Sequence, residues 1–85
     1  MKHATPARLD EIEDLLRQLR GLGVLKEKSR GVFYRGGRAV LHFHEDPAGM
    51  FADLRPGAEW ERLAVNTASE RAALLRRIST GTGMT

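Results

Sequence analysis

From residue 32 to residue 65 apolar side chains recur at every second position, and three turn signals interrupt the alternation: Gly36-Gly37, Asp46-Pro47-Ala48-Gly49 and Arg55-Pro56-Gly57-Ala58. Period-two patterning marks strands with one buried face. Gly-Gly suits a two-residue hairpin, Asp, Pro and Gly fall where a type I turn prefers them, and a Pro-Gly centre suits a type II turn. The segment therefore reads as four antiparallel strands in a meander. Directly opposite residues of an antiparallel pair share a face, so each turn also predicts a register. The first pairs Tyr34 with Ala39 and Val32 with Leu41, the second pairs Leu41 with Leu54 and Phe43 with Ala52, and the third pairs Met50 with Leu63. The predicted core face is Val32, Tyr34, Leu41, Phe43, Met50, Ala52, Leu54, Leu63 and Val65.

Two helical patterns flank this segment. Thr5 before Pro6 is a cap with proline at the first helical position, and Leu9, Ile12, Leu15, Leu16 and Leu19 form one stripe at helical spacing that Gly21 and Gly23 end. Thr67-Ala68-Ser69-Glu70 reads as a capping box, with Ala72, Leu74, Leu75 and Ile78 as the apolar stripe behind it. The order α-β-β-β-β-α predicts a two-layer α+β domain over residues 1–79, with a four-stranded antiparallel meander sheet and the N- and C-terminal helices on one of its faces. Residues 80–85 lack pattern and bulk and are expected to be a disordered tail.

Eighty-five residues suffice for one modest core. No apolar run approaches a membrane span, and the start Met-Lys-His-Ala-Thr-Pro lacks the apolar stretch of a secretory signal. With no cysteine in the chain, a cytoplasmic location is expected and a membrane association is not. The net charge of +3 is segregated: residues 24–43 carry five Lys/Arg against Glu27, and residues 44–61 carry five Asp/Glu against Arg55. Basic character of this kind permits nucleic-acid binding without requiring it.

The register leaves Phe33, Arg35, Arg38, Val40, His42, His44, Phe51, Asp53, Arg55, Trp60 and Arg62 on the face away from the helices. A solvated face should be mostly polar, whereas this one mixes aromatics with arginines. The leading expectation is a non-enzymatic interaction module that self-associates as a homodimer, or binds a partner protein, through this face. Phe33, Phe51 and Trp60 would anchor it, surrounded by Arg35, Arg38, Arg55 and Arg62, with His42 and His44 beside them. The alternative is a nucleic-acid platform in which aromatics stack on bases and arginines neutralise phosphates.

A second alternative is a metal-binding protein using His42 and His44, which point the same way at i and i+2 of a strand, with Asp53 opposite His42. Asp46 is occupied as the first turn residue, so two histidines and one carboxylate are left. No metal site or cofactor is assigned on that basis. His42 and Asp53 also have the composition of a base and its orienting carboxylate, but no nucleophile accompanies them, so no catalytic residue and no enzymatic activity is expected.

The stretch Phe33-Tyr34-Arg35-Gly36-Gly37-Arg38-Ala39-Val40-Leu41-His42-Phe43-His44-Glu45-Asp46-Pro47-Ala48-Gly49 resembles a segment of small uncharacterised bacterial proteins, a resemblance that implies no activity or cofactor. A helix, an antiparallel sheet and a closing helix are also similar in topology to the double-stranded RNA-binding domain. This chain has one strand more, and Asn66-Thr67-Ala68-Ser69-Glu70-Arg71 where that family carries a lysine-rich signature.

Overall fold

Gly36 and Gly37 both adopt positive φ, 60° and 84°, the conformation that a two-residue hairpin demands and that glycine adopts without steric cost. Asp46 Oδ1 accepts a hydrogen bond from the Ala48 backbone N–H at 2.9 Å, closing the second turn as expected of aspartate at that position. These turns belong to a computed structural model that describes residues 2–82, with side chains over 3–79.

The strands are β1 (Lys2–His3), β2 (Lys26–Ser29), β3 (Val32–Arg35), β4 (Arg38–Asp46), β5 (Gly49–Leu54) and β6 (Glu61–Ala64). Strands β2 to β6 lie side by side in chain order as an antiparallel meander, and β1 pairs with the far end of β4. The sheet thus has one more meander strand than the four expected. β2, Lys-Glu-Lys-Ser, is a polar edge strand with no buried residue, so it carries no alternation to read.

The helices are α1 (Pro6–Glu11), α2 (Glu13–Leu22) and α3 (Ala68–Thr82). The first predicted helix is divided at Ile12, whose φ of −115° and ψ of 22° leave the helical region. Its stripe still faces inward. At α3, Thr67 Oγ1 accepts from the Glu70 N–H and Glu70 Oε1 accepts from the Thr67 N–H, both at 3.1 Å, the reciprocal capping box read from the sequence. Residues 80–82 of the predicted tail continue α3, and residues 83–85 lie outside the described residues.

Leu9, Ile12, Leu15, Leu16 and Leu19 of the first helical layer meet Leu74 and Ile78 of α3 over Phe33, Leu41, Phe43, Met50, Ala52, Leu54 and Val65 in one buried cluster. Both helical segments therefore cover one sheet face, and the two-layer α+β architecture is as expected. Arg30 joins Asp10 and Glu13 at 2.8 Å, and Arg20 joins Glu13 and Glu27, tying the helical layer to the β2 edge. Among the described residues no helix is long and apolar enough to cross a membrane.

The register holds at one hairpin and departs from expectation at two. β4 and β5 pair Leu41 with Leu54 and Phe43 with Ala52, as predicted. β5 and β6 pair Ala52 with Leu63 and Leu54 with Glu61, so residues 55–60 form a wider loop and Met50 meets Val65 in place of Leu63. A shift of two residues preserves the face. The first hairpin starts as predicted, with Tyr34 opposite Ala39, but a bulge at Val40 then places Phe33 opposite Leu41 and Val32 opposite His42. A shift of one exchanges faces. Phe33, expected on the open face, is fully buried. Val32 takes its place outside, and Tyr34, expected inside, lies half-buried with the Lys28 ammonium 4.7 Å from its ring centre. The larger apolar surface of phenylalanine favours this exchange.

Candidate functional site

The open face is organised as two cross-strand rows. Val32, His42, Asp53 and Arg62 lie opposite one another across β3, β4, β5 and β6, and His3, His44, Phe51 and Ala64 lie opposite one another across β1, β4, β5 and β6. His3 is not among the residues expected on this face. It arrives through backbone pairing with a residue forty-one positions later: Ala4 N–H donates to the Phe43 carbonyl at 3.2 Å. Thr5 N–H donates to Glu45 Oε1 at 2.7 Å, fixing the same chain end. A two-residue strand before a helix cap has no periodicity, so no local signal identifies it.

The three imidazoles form a cluster. Ring centres are 4.7 Å apart for His42 and His44, 5.0 Å for His3 and His44, and 5.7 Å for His3 and His42. One ring nitrogen from each lies within 4.8 Å of the others. Tetrahedral zinc with bonds of about 2.0–2.1 Å holds its nitrogen ligands about 3.4 Å apart, so small rotations would bring the three to bonding distance. His42 Nδ1 and both nitrogens of His44 are buried without a hydrogen-bond partner. Buried imidazole nitrogens normally have partners, and leaving them without one carries a desolvation cost.

Asp53 sits beneath this cluster and is the only buried charged residue among the described ones, 7% exposed. Arg62 grips it with Nε and Nη2 at 2.8 and 3.0 Å, a bidentate pair that favours the ionised carboxylate. These bonds hold the Asp53 carboxyl below its ordinary range against the opposing effect of burial. His44 Nε2 stands 2.9 Å from Asp53 Oδ2. The nitrogen is close enough for an ion pair but off the line of a hydrogen bond, so the contact is electrostatic. Burial, followed by the charge of His44, pushes the His42 imidazole below its ordinary value, only partly offset by Asp53. Its neutral form is thereby favoured, the form that can ligate a metal.

Trp60, 41% exposed, is the only exposed large hydrophobic among the described residues. It lies on the loop before β6, with its ring 4.7 Å from His42 and the Arg55 guanidinium 4.6 Å from its centre. Phe51 is half-buried in the His44 row. Of the predicted surface residues, His42, His44, Phe51, Trp60, Arg62 and Arg55 come together on or beside the open face. Arg35 and Arg38 instead stand opposite each other at the tip of the β3–β4 hairpin, where they line a separate cavity. Compared with known proteins, the chain matches no family model, no curated protein and no solved structure.

Proposed function

We propose that the chain is a metal-binding module whose open sheet face holds a divalent late transition-metal ion between His3, His42 and His44. The observation that carries this reading is the convergence of three imidazole nitrogens within 4.8 Å of one another. An all-imidazole set suits Zn²⁺, Cu²⁺ or Ni²⁺ and offers little to Mg²⁺ or Ca²⁺, which prefer oxygen. Three ligands leave a fourth position for water or an added ligand. Asp53 would act behind the ligands, holding the His44 ring through its charge while Arg62 fixes the carboxylate.

Zinc titration followed by histidine ring resonances tests it. A site that binds the folded chain alone stabilises it by about 2.7 kcal/mol at a hundredfold excess over Kd, which in a domain of this size raises Tm by on the order of 10–20 °C. His3→Ala removes a ligand from an exposed position and should weaken binding without unfolding the chain. Unchanged resonances at stoichiometric Zn²⁺, or undiminished binding by His3→Ala, would overturn the reading.

Self-association through the same face is the second reading, and exposed Trp60 is the observation in its favour. Burial of Phe33 removes one of its three expected anchors. Apposing two copies also brings the arginines of one face towards those of the other. Light scattering on wild type and Trp60→Ala, with chelator and with zinc, separates the cases. A dimer in chelator that Trp60→Ala dissociates supports self-contact, and a monomer in both conditions removes it. A nucleic-acid platform has less support, because Arg62 is engaged by Asp53, and Arg55 by the Ala39 carbonyl and Trp60.

A further inference from the structure

A cavity of about 330 Å³ opens at the end of the sheet remote from β1, between the β3–β4 hairpin and the loop after β5. Leu25, Val40, Leu54 and Pro56 supply apolar walls, and Arg35, Arg38 and Arg55 supply three guanidinium groups. Among the described residues no acidic one lines it. Its shape depends on the bulge at Val40 and on the wide loop over residues 55–60, neither of which is legible in the local sequence.

Arg55 is pinned from several sides. Its backbone N–H donates to the Val40 carbonyl at 2.8 Å, its Nη2 donates to the Ala39 carbonyl at 2.6 Å, and its guanidinium lies over Trp60. Its Nε is buried and has no acceptor. Held in this way, Arg55 presents a fixed positive charge at the cavity wall. Arg35 and Arg38 occupy directly opposite positions at the hairpin tip, which sets two guanidinium groups along one wall of the cavity. Planar guanidinium forks match carboxylate and phosphate oxygens. The surrounding Leu, Val and Pro side chains suit hydrocarbon or an aromatic ring.

We propose that this cavity binds a small organic anion, an acidic head group on an apolar body. The site is separate from the histidine cluster, with Trp60 lying between Arg55 and His42. Trp60, stacked on Arg55, serves as its reporter.

The test is a fluorescence titration of the full chain in chelator, with benzoate, phenyl phosphate, benzyl alcohol and inorganic phosphate as probes. At least one aromatic anion should give saturable binding tenfold or more tighter than both controls, and the one that does identifies the head group. Arg38→Gln should weaken that binding by about tenfold, because a charge-assisted hydrogen bond is lost. Arg38 is exposed, so its Tm should stay unchanged. Arg55→Lys keeps the charge but loses the planar fork and should weaken binding similarly. Benzyl alcohol binding as tightly as the anions would overturn the proposal by showing an apolar slot. Inorganic phosphate binding as tightly would overturn it by showing an unselective basic patch. No saturable binding by either aromatic anion, or equal binding by Arg38→Gln, would also overturn it.

Discussion

Replacing Phe33 by alanine tests the bulge that decides which side chains reach the open face. Phe33 is fully buried opposite Leu41, whereas its neighbour Val32 is half-exposed opposite His42. Removing a buried aromatic ring forfeits about 150 Å² or more of apolar burial, and at roughly 25 cal/mol per Å² that alone is about 4 kcal/mol. Measured Phe-to-Ala changes in cores fall at about 3–5 kcal/mol. A domain of this length has a total stability of roughly 4–13 kcal/mol, so the variant should lose about a quarter of it or more and melt on the order of 20 °C lower. Val32→Ala should cost under about 1 kcal/mol. Urea unfolding of both variants, with coincident circular dichroism and fluorescence transitions, measures the two values. The result that would refute the register is the reverse order, with Val32→Ala the more damaging change. In that case Phe33 would stand outside beside His42 in place of Val32, while the β1–β4 and β4–β5 pairings that bring the histidines together would be unaffected.

Two further outcomes follow from the packing and the surface charges. Gly49 has a φ of 139°, and a Cβ there would lie 2.6 Å from Asn66 Oδ1, the atom that accepts from the Met50 N–H; Gly49→Ala should cost about 1–3 kcal/mol in thermal or urea unfolding, and a neutral effect would show that the β4–β5 turn is free to shift. The hydrogen bonds from Arg30 and then Arg20 hold the Glu13 carboxyl down from 4.5 to about 2, so folding favours its ionised form. That contribution is complete above about pH 4.5 and is lost as pH falls from there towards 2. Glu13→Gln should flatten the stability profile in that window, and a variant profile parallel to wild type would refute the assignment.

Much of this fold is carried by short-range chemistry. Thr5-Pro6, the Thr67–Glu70 box, Gly36-Gly37 and the Asp46 turn each act within four residues, so their identity alone determines the helix starts, two hairpins and the register of β4 on β5. His42 and Asp53 share a face because that register is local, and Arg62 joins them because the two-residue shift of β6 preserves its face. Other features depend on partners far along the chain. The polar strand β2 forms because a sheet edge and the Arg20–Glu27 pair receive it, and the bulge at Val40 forms where burying Phe33 outweighs regular pairing. His3 joins His42 and His44 only because β1 finds the free edge of β4. Local sequence determined the elements and one dependable face; tertiary packing decided which aromatic lies inside and which third histidine completes the cluster, since long-range burial and pairing energies exceed the preferences of the residues involved.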